Sequence, residues 1–153
     1  VGSDQGREAY RRELEQQVSD KGLGGSVQIV GHCDDMPAAY MLSDVVVSAS
    51  TDPEAFGRVI AEAQAMGRPV VASDHGGAAE SMIDGETGWL VQPRNAPALA
   101  DGIRSALTMT KEARSRLSEV AIEHARARFS REDMCARTLA VYCEVLGLTP
   151  AGV

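Results

Sequence analysis

Glu54 and Glu62 stand on either side of residues 55–61, the first just ahead of a helix-period segment and the second inside it. A helix rises about 1.5 Å per residue, so carboxylates at this spacing lie on the order of 10 Å apart. Ionised carboxylates only accept hydrogen bonds, so such a pair suits a ligand carrying hydroxyls at both ends. Between them, Gly57 allows close backbone approach, and the free N–H groups of the following turn, reinforced by the helix dipole, attract an anion. A diphosphate joining two polyhydroxyl groups meets these requirements, and a nucleotide sugar has that form. Glu54 would then accept from sugar hydroxyls and Glu62 from ribose hydroxyls. The spacing equally fits a plainer arrangement, in which Glu62 is a surface residue of an amphipathic helix and Glu54 favours the helix start by its charge.

The elements that position this pair are legible in outline. Short apolar runs at Val27 to Val30, Val45 to Val47, Val70 to Ala72 and Trp89 to Val91 lack polar alternation, as strands buried on both faces do. Met36 to Leu42 and Phe56 to Met66 read as helices between them, and Ala78 to Ile83 supplies a short one. Repeated βα units with short connections predict a parallel sheet with right-handed crossovers. Phe56, Val59, Ile60, Ala63 and Met66 recur on one helical face, which should pack on the sheet with Glu62 at its margin. Gly67 suits the C′ position that ends this helix, and Pro69 cannot continue it. Asn95 caps a helix through about Leu107, Ala113 to Phe129 is helical in period, and Ser130 opens a helix toward Leu146.

In an open parallel sheet, ligands bind beyond the carboxyl ends of the strands. That rule selects the loops Gly31 to Met36, Ser50 to Gly57 and Asp74 to Glu80. His75, Gly76 and Gly77 are rim candidates for ligand contact, although a loop histidine can fix its own turn and paired glycines can simply make one. Trp89, Met41 and Met66 read as packing residues, Glu80 as a favourable charge at a helix start, and Asp84 to Gly88 as a turn before a strand.

Composition narrows the class. A chain of 153 residues, 44% hydrophobic and 24% charged, has the make-up of one globular domain that removes roughly 70% of its unfolded surface from water. A formal charge of −7 disfavours nucleic acid as a partner. No apolar run approaches the ~18 residues of a membrane span, and the first residues lack the basic and apolar regions of a signal peptide. There is no initiator Met, so the chain is expected to be cut from a longer protein, or processed. Cys33, Cys135 and Cys143 have no paired spacing for zinc, and Cys135 and Cys143 would lie about 12 Å apart on one helix, too far for a disulfide; reduced, buried thiols in a cytoplasmic protein are expected.

The run from Ser48 to Ala72, with Glu54 and Glu62 in an E-x7-E pattern, followed by Gly76-Gly77-Ala-Ala-Glu80 and Asp84-Gly-Glu-Thr-Gly88, resembles the C-terminal, donor-binding domain of family 4 retaining glycosyltransferases. The resemblance covers nearly the whole chain, from a strand end at Val1-Gly2 to a helix near Tyr142. It implies an α/β, Rossmann-like parallel sheet flanked by helices, the C-terminal half of a GT-B fold truncated at its N-terminal edge, as one nucleotide-sugar-binding domain over residues 1–153. Glu54 matches the catalytic-site carboxylate on donor-sugar hydroxyls. Ala55, Phe56, Gly57, Arg58 and Val59 match the segment meeting sugar and phosphate, Glu62 the ribose contact, and Gly31 and Met36 the wall against which the base packs. The implied substrate is a nucleotide-diphosphate sugar, used without a metal or other cofactor. The implied mechanism is front-face, the departing diphosphate helping to deprotonate the acceptor, with no side-chain nucleophile.

The resemblance also implies what these residues leave out: the acceptor-binding domain, which would take a glycan, lipid or small molecule, and the first βα unit of the donor domain, whose basic residues clasp the pyrophosphate. With Arg58 the remaining cation on this rim, the isolated chain is expected to be inactive and to bind nucleotide weakly. The longer protein is expected in the cytoplasm, with peripheral membrane association one option. The main alternative is a non-catalytic sugar-nucleotide-binding or interaction module of the same fold, and a related GT-B epimerase or phosphorylase is a further one. A dehydrogenase-type site is disfavoured, because Gly22-Leu-Gly-Gly25 precedes its strand and has Val27 where the third glycine belongs; no P-loop motif occurs.

Overall fold

The computed structural model describes residues 6–148 and divides into two compact units, Val1–Ala39 and Tyr40–Val153. The strand end expected at Val1–Gly2 lies outside the described residues. In the first unit, helix α1 (Glu8–Asp20) buries none of its residues and carries i,i+4 pairs such as Arg11 with Glu15 and Arg12 with Glu8. This helix was not read from the sequence, although Tyr10, Leu14 and Val18 recur four residues apart on one face among otherwise polar neighbours. Val27 to Val30 corrects an expectation: it forms no strand. A strand exists only through a hydrogen-bonded neighbour, and an apolar run without one stays irregular. Helix α2 (Met36–Leu42) has the bounds its sequence suggests and runs into the second unit.

The second unit is built on a parallel sheet in the order β1 (Val46–Ser48), β2 (Val70–Ser73), β3 (Trp89–Val91). The register pairs Val46 with Val70 and Val71 with Trp89. β2 is central and buried throughout, as a strand covered on both faces must be. Helix α3 (Arg58–Ala65) crosses from β1 to β2, and the short α4 (Gly77–Ser81) from β2 to β3. α5 (Ala96–Leu107) packs on β2 and β3, with Gly102 leaving room for Val71 and Val91. Then follow α6 (Lys111–Phe129), laid against α3, and α7 (Arg131–Leu146). Asn95, Thr110 and Ser130 cap α5, α6 and α7, each side chain accepting from a backbone N–H three residues on.

Two packing expectations change. The buried face of α3 is Ile60, Ala61, Ala63 and Gln64, whereas Phe56 and Val59 are exposed. Gly57 adopts a left-handed conformation, φ +74°, so Phe56 leaves the helical course before α3 begins, and α3 lies between the sheet and α6 rather than on the sheet alone. The cysteines are free, but Cys135 is exposed and Cys33 and Cys143 are only half-buried. For Cys135 and Cys143 the reason is that α7 buries none of its residues. Gly67 ends α3 as expected, with φ +65° and Arg68 N–H donating to Ala63 O at 2.9 Å.

Candidate functional site

The carboxyl ends of all three strands open on one side. A cavity of about 230 Å³ there is lined by Ala49, Ser73 and Val91 at those ends, with Thr51, Gln92 and Arg94 around it. This is where an open parallel sheet offers a ligand site. The loop following β1 carries Glu54, and its shape is set by the loop following β2. Gly77 N–H donates to Glu54 O at 2.8 Å, Ser81 Oγ donates to Phe56 O at 3.0 Å, and His75 Nε2 lies 3.0 Å from Ser50 O. A Cβ on Gly76 would stand 2.6 Å from Glu54 O, and one on Gly77 would stand 2.5 Å from Phe56 Cα. The glycine pair is therefore what lets the two loops touch, and it holds the segment from Glu54 to Phe56 against the start of α4.

Glu54 is half-buried at the mouth of α3. Its Oε1 accepts from the Ser50 hydroxyl, and its Oε2 points toward Gly57, 3.5 Å from where a Cβ on that residue would be. No side chain caps α3; Ile60 N–H donates to Gly57 O at 2.9 Å, which leaves the N–H groups of Arg58 and Val59 for an acceptor from outside the helix. Arg58 opens the helix and is exposed, as are Ala55 and Val59.

Glu62 is held at both oxygens. Tyr40 donates its phenolic O–H to Oε2 at 2.8 Å, and Arg58 Nη2 donates to Oε1 at 3.0 Å. Tyr40 is buried, and burial first, then the hydrogen bond to Glu62 and its negative charge, push its pKa up to about 12 against a smaller opposing effect of Arg58. It remains a donor across the physiological range. Beside Glu62 a cleft of about 260 Å³ is lined by Phe56, Arg58, Ala61, Ala65, Ala125 and Phe129. The two phenylalanine rings meet edge to face at 5.4 Å, so Phe56 lies against the end of α6.

Residues 1–124 match the family description "Glycosyl transferases group 1". The chain belongs to the glycosyl transferases group 1. Among curated relatives, D-inositol 3-phosphate glycosyltransferase of Corynebacterium glutamicum (strain R) is 38% identical over 112 residues, 73% of this chain and 26% of the relative. Among solved structures, Anabaena HepE in complex with UDP and glucose superposes with a TM-score of 0.84 at 34% identity, over 92% of this chain and 39% of that one. The C-terminal domain of a glycosyl transferase group 1 family protein from Francisella tularensis superposes with a TM-score of 0.67 at 26% identity, over 80% of this chain and 64% of that one. The chain thus spans about a quarter to two fifths of the length of the first two. Its parallel sheet flanked by helices is the α/β, Rossmann-like architecture of GT-B glycosyltransferases.

In this group 1 chain the sequence-derived residues fall into two sets within the second unit. Glu54, Gly57, His75, Gly76 and Gly77 meet where the two loops join, and Phe56, Arg58 and Glu62 share the cleft beside α3. Gly31 and Met36 belong to the first unit, Gly31 exposed in an irregular segment and Met36 half-buried at the start of α2. Sequence reasoning missed Tyr40, Ser50 and Ser81. Tyr40 could have been singled out, since a tyrosine among the apolar residues of a short helix buries a hydroxyl that needs a partner. Nothing in the local pattern marks the two serines.

Proposed function

We propose that this chain supplies the donor-binding site of an enzyme that moves a sugar from a nucleoside diphosphate sugar to an acceptor hydroxyl with retention. The observation that carries this reading is Glu62, an acceptor fixed at both oxygens one turn inside a helix whose N-terminus has no side-chain cap. Ribose hydroxyls donate to Glu62, the diphosphate lies on the N–H groups that follow Gly57, and Glu54 accepts from the sugar. Ala55, Phe56 and Val59 supply the backbone around it. The bond from the anomeric carbon to the diphosphate breaks, the acceptor oxygen bonds on the same face, and the acceptor proton passes to the departing diphosphate, whose growing charge the helix start stabilises. The reaction proceeds without a metal ion. His75, Gly76 and Gly77 shape the sugar end through the loop they hold. Family resemblance alone carries the base-packing role of Gly31 and Met36, and it is tested by substituting Met36→Ala and comparing bases.

UDP is the first nucleotide to try, because the similar Anabaena protein holds UDP. The acceptor, a glycan, lipid or small molecule, is bound by a region outside these residues, in a cytoplasmic protein that associates with the membrane surface when its acceptor is a lipid. Among the described residues no helix is long and apolar enough to cross a membrane.

The test is a titration of the chain with UDP, GDP and ADP, repeated with Glu62→Ala. Binding of at least one nucleotide, weakened about tenfold or more by the substitution, is expected, since Glu62 would offer charge-assisted hydrogen bonds. An equal response of both proteins to every nucleotide would exclude the ribose role.

A further inference from the structure

Glu62 carries about four acceptor directions on its two oxygens. Tyr40 and Arg58 take one each, which leaves about two, the number a vicinal pair of ribose hydroxyls requires. The two partners differ in kind. Arg58 has a side chain 83% exposed, and its i,i+4 pair with Glu62 is screened by water and open to competition from an arriving phosphate. Tyr40, in α2, is only 4% exposed and offers a single O–H directed at Oε2. A long glutamate side chain otherwise loses substantial rotamer freedom when it grips a ligand. A donor that fixes the carboxylate beforehand removes that cost from binding.

We propose that Tyr40 is a positioning residue for nucleotide recognition, its buried phenol orienting Glu62 so that the remaining lone pairs face the 2′- and 3′-hydroxyls of the ribose. This inference rests on the donor-site reading of Glu62 given above and deepens it. Arg58, by contrast, is free to exchange its carboxylate partner for the diphosphate, whereas Tyr40 has no such alternative and keeps Glu62 in place in both states.

The test compares the chain with its Tyr40→Phe variant, which keeps the ring and its packing and removes only the O–H. Both are titrated with whichever of UDP, GDP and ADP binds, and with the 2′,3′-dideoxy form of that nucleotide. Affinity for the ribonucleotide should fall about fivefold, the worth of one ordinary hydrogen bond, while affinity for the dideoxy nucleotide stays the same. An equal loss on both ligands would mean that Tyr40 acts only through general packing, and no loss on either would mean that Glu62 needs no orienting donor; each result overturns the proposal. If the unsubstituted chain binds none of the three nucleotides, or binds ribo and dideoxy forms alike, the donor-site reading itself falls and the role of Tyr40 falls with it.

Discussion

Among single residues, groups that would touch a ligand differ from groups that aim them. Glu54 and Glu62 were legible from type and spacing, because a carboxylate before a helix and another one turn inside it are visible in any sequence. The donors that fix them were not. Ser50 and Tyr40 reach them across 4 and 22 residues of chain, and only folding brings them together. The tie between Tyr40 and Glu62 has a consequence for stability. A folded pKa of about 12 lies above the ordinary tyrosine value, so the contribution of the protonated phenol is complete below about pH 10 and is lost as pH rises toward 12. Chemical denaturation of the chain and of Tyr40→Phe across that window should show a stability difference that shrinks with rising pH. A difference constant in pH would mean that the phenol is not shielded as described.

At the scale of elements, the glycines between secondary structures decide how closely the loops and helices approach. Gly67 combines φ +65° with a site where an added Cβ would meet the Ser118 side chain and Ile122 on α6. Gly67→Ala should destabilise the chain by about 1–3 kcal/mol in equilibrium unfolding, from left-handed backbone strain and overpacking together. Gly77→Ala sets a Cβ against the Phe56 backbone, which cannot rotate away as a side chain can. It should also destabilise by about 1–3 kcal/mol and, by displacing the loop of Glu54, weaken nucleotide-sugar binding more than it weakens binding of the nucleotide alone. An equal change for both ligands would show that the glycine pair does not shape the sugar end. The three strands of the sheet and α5 to α7 were legible because short apolar runs and capping residues are local features. The inner face of α3 was not: the sequence shows its apolar stripe but not that α6 and α4 pack on the helix as well, with Gln64 fully buried and its Nε2 donating to Ser81 O of α4 at 2.8 Å. Val27 to Val30 has the composition of a strand, and strand formation is a property of a pair, not of a segment.

At the scale of the whole molecule, charge and extent govern what the chain can do alone. Its formal charge is −7, and Arg58, the cation at the start of α3, is already paired with Glu62. A diphosphate arriving there also meets the carboxylate of Glu54 close to Gly57. Weak nucleotide binding, with a dissociation constant nearer millimolar than micromolar, is therefore expected of this chain. Since it spans 26% and 39% of the relatives compared above, it should also show no sugar transfer from a nucleotide sugar to simple acceptors. Product formation in a sensitive radiolabel assay, abolished by Glu54→Gln, would contradict that expectation. Fold class was the most legible property at this scale, because alternating βα units admit few arrangements. Donor, acceptor and the identity of the base depend on loop geometry that periodicity does not encode.

The start of α3 and the two glutamates flanking it are proposed to receive one nucleotide sugar end to end. The decisive measurement is a crystal structure of the chain soaked with UDP-glucose. Ribose hydroxyls are expected within hydrogen-bond distance of Glu62, phosphate oxygens on the N–H groups following Gly57, and the sugar on Glu54. A ligand seated elsewhere, for instance in the cavity beside Arg94 with Glu54 and Glu62 both untouched, would contradict it.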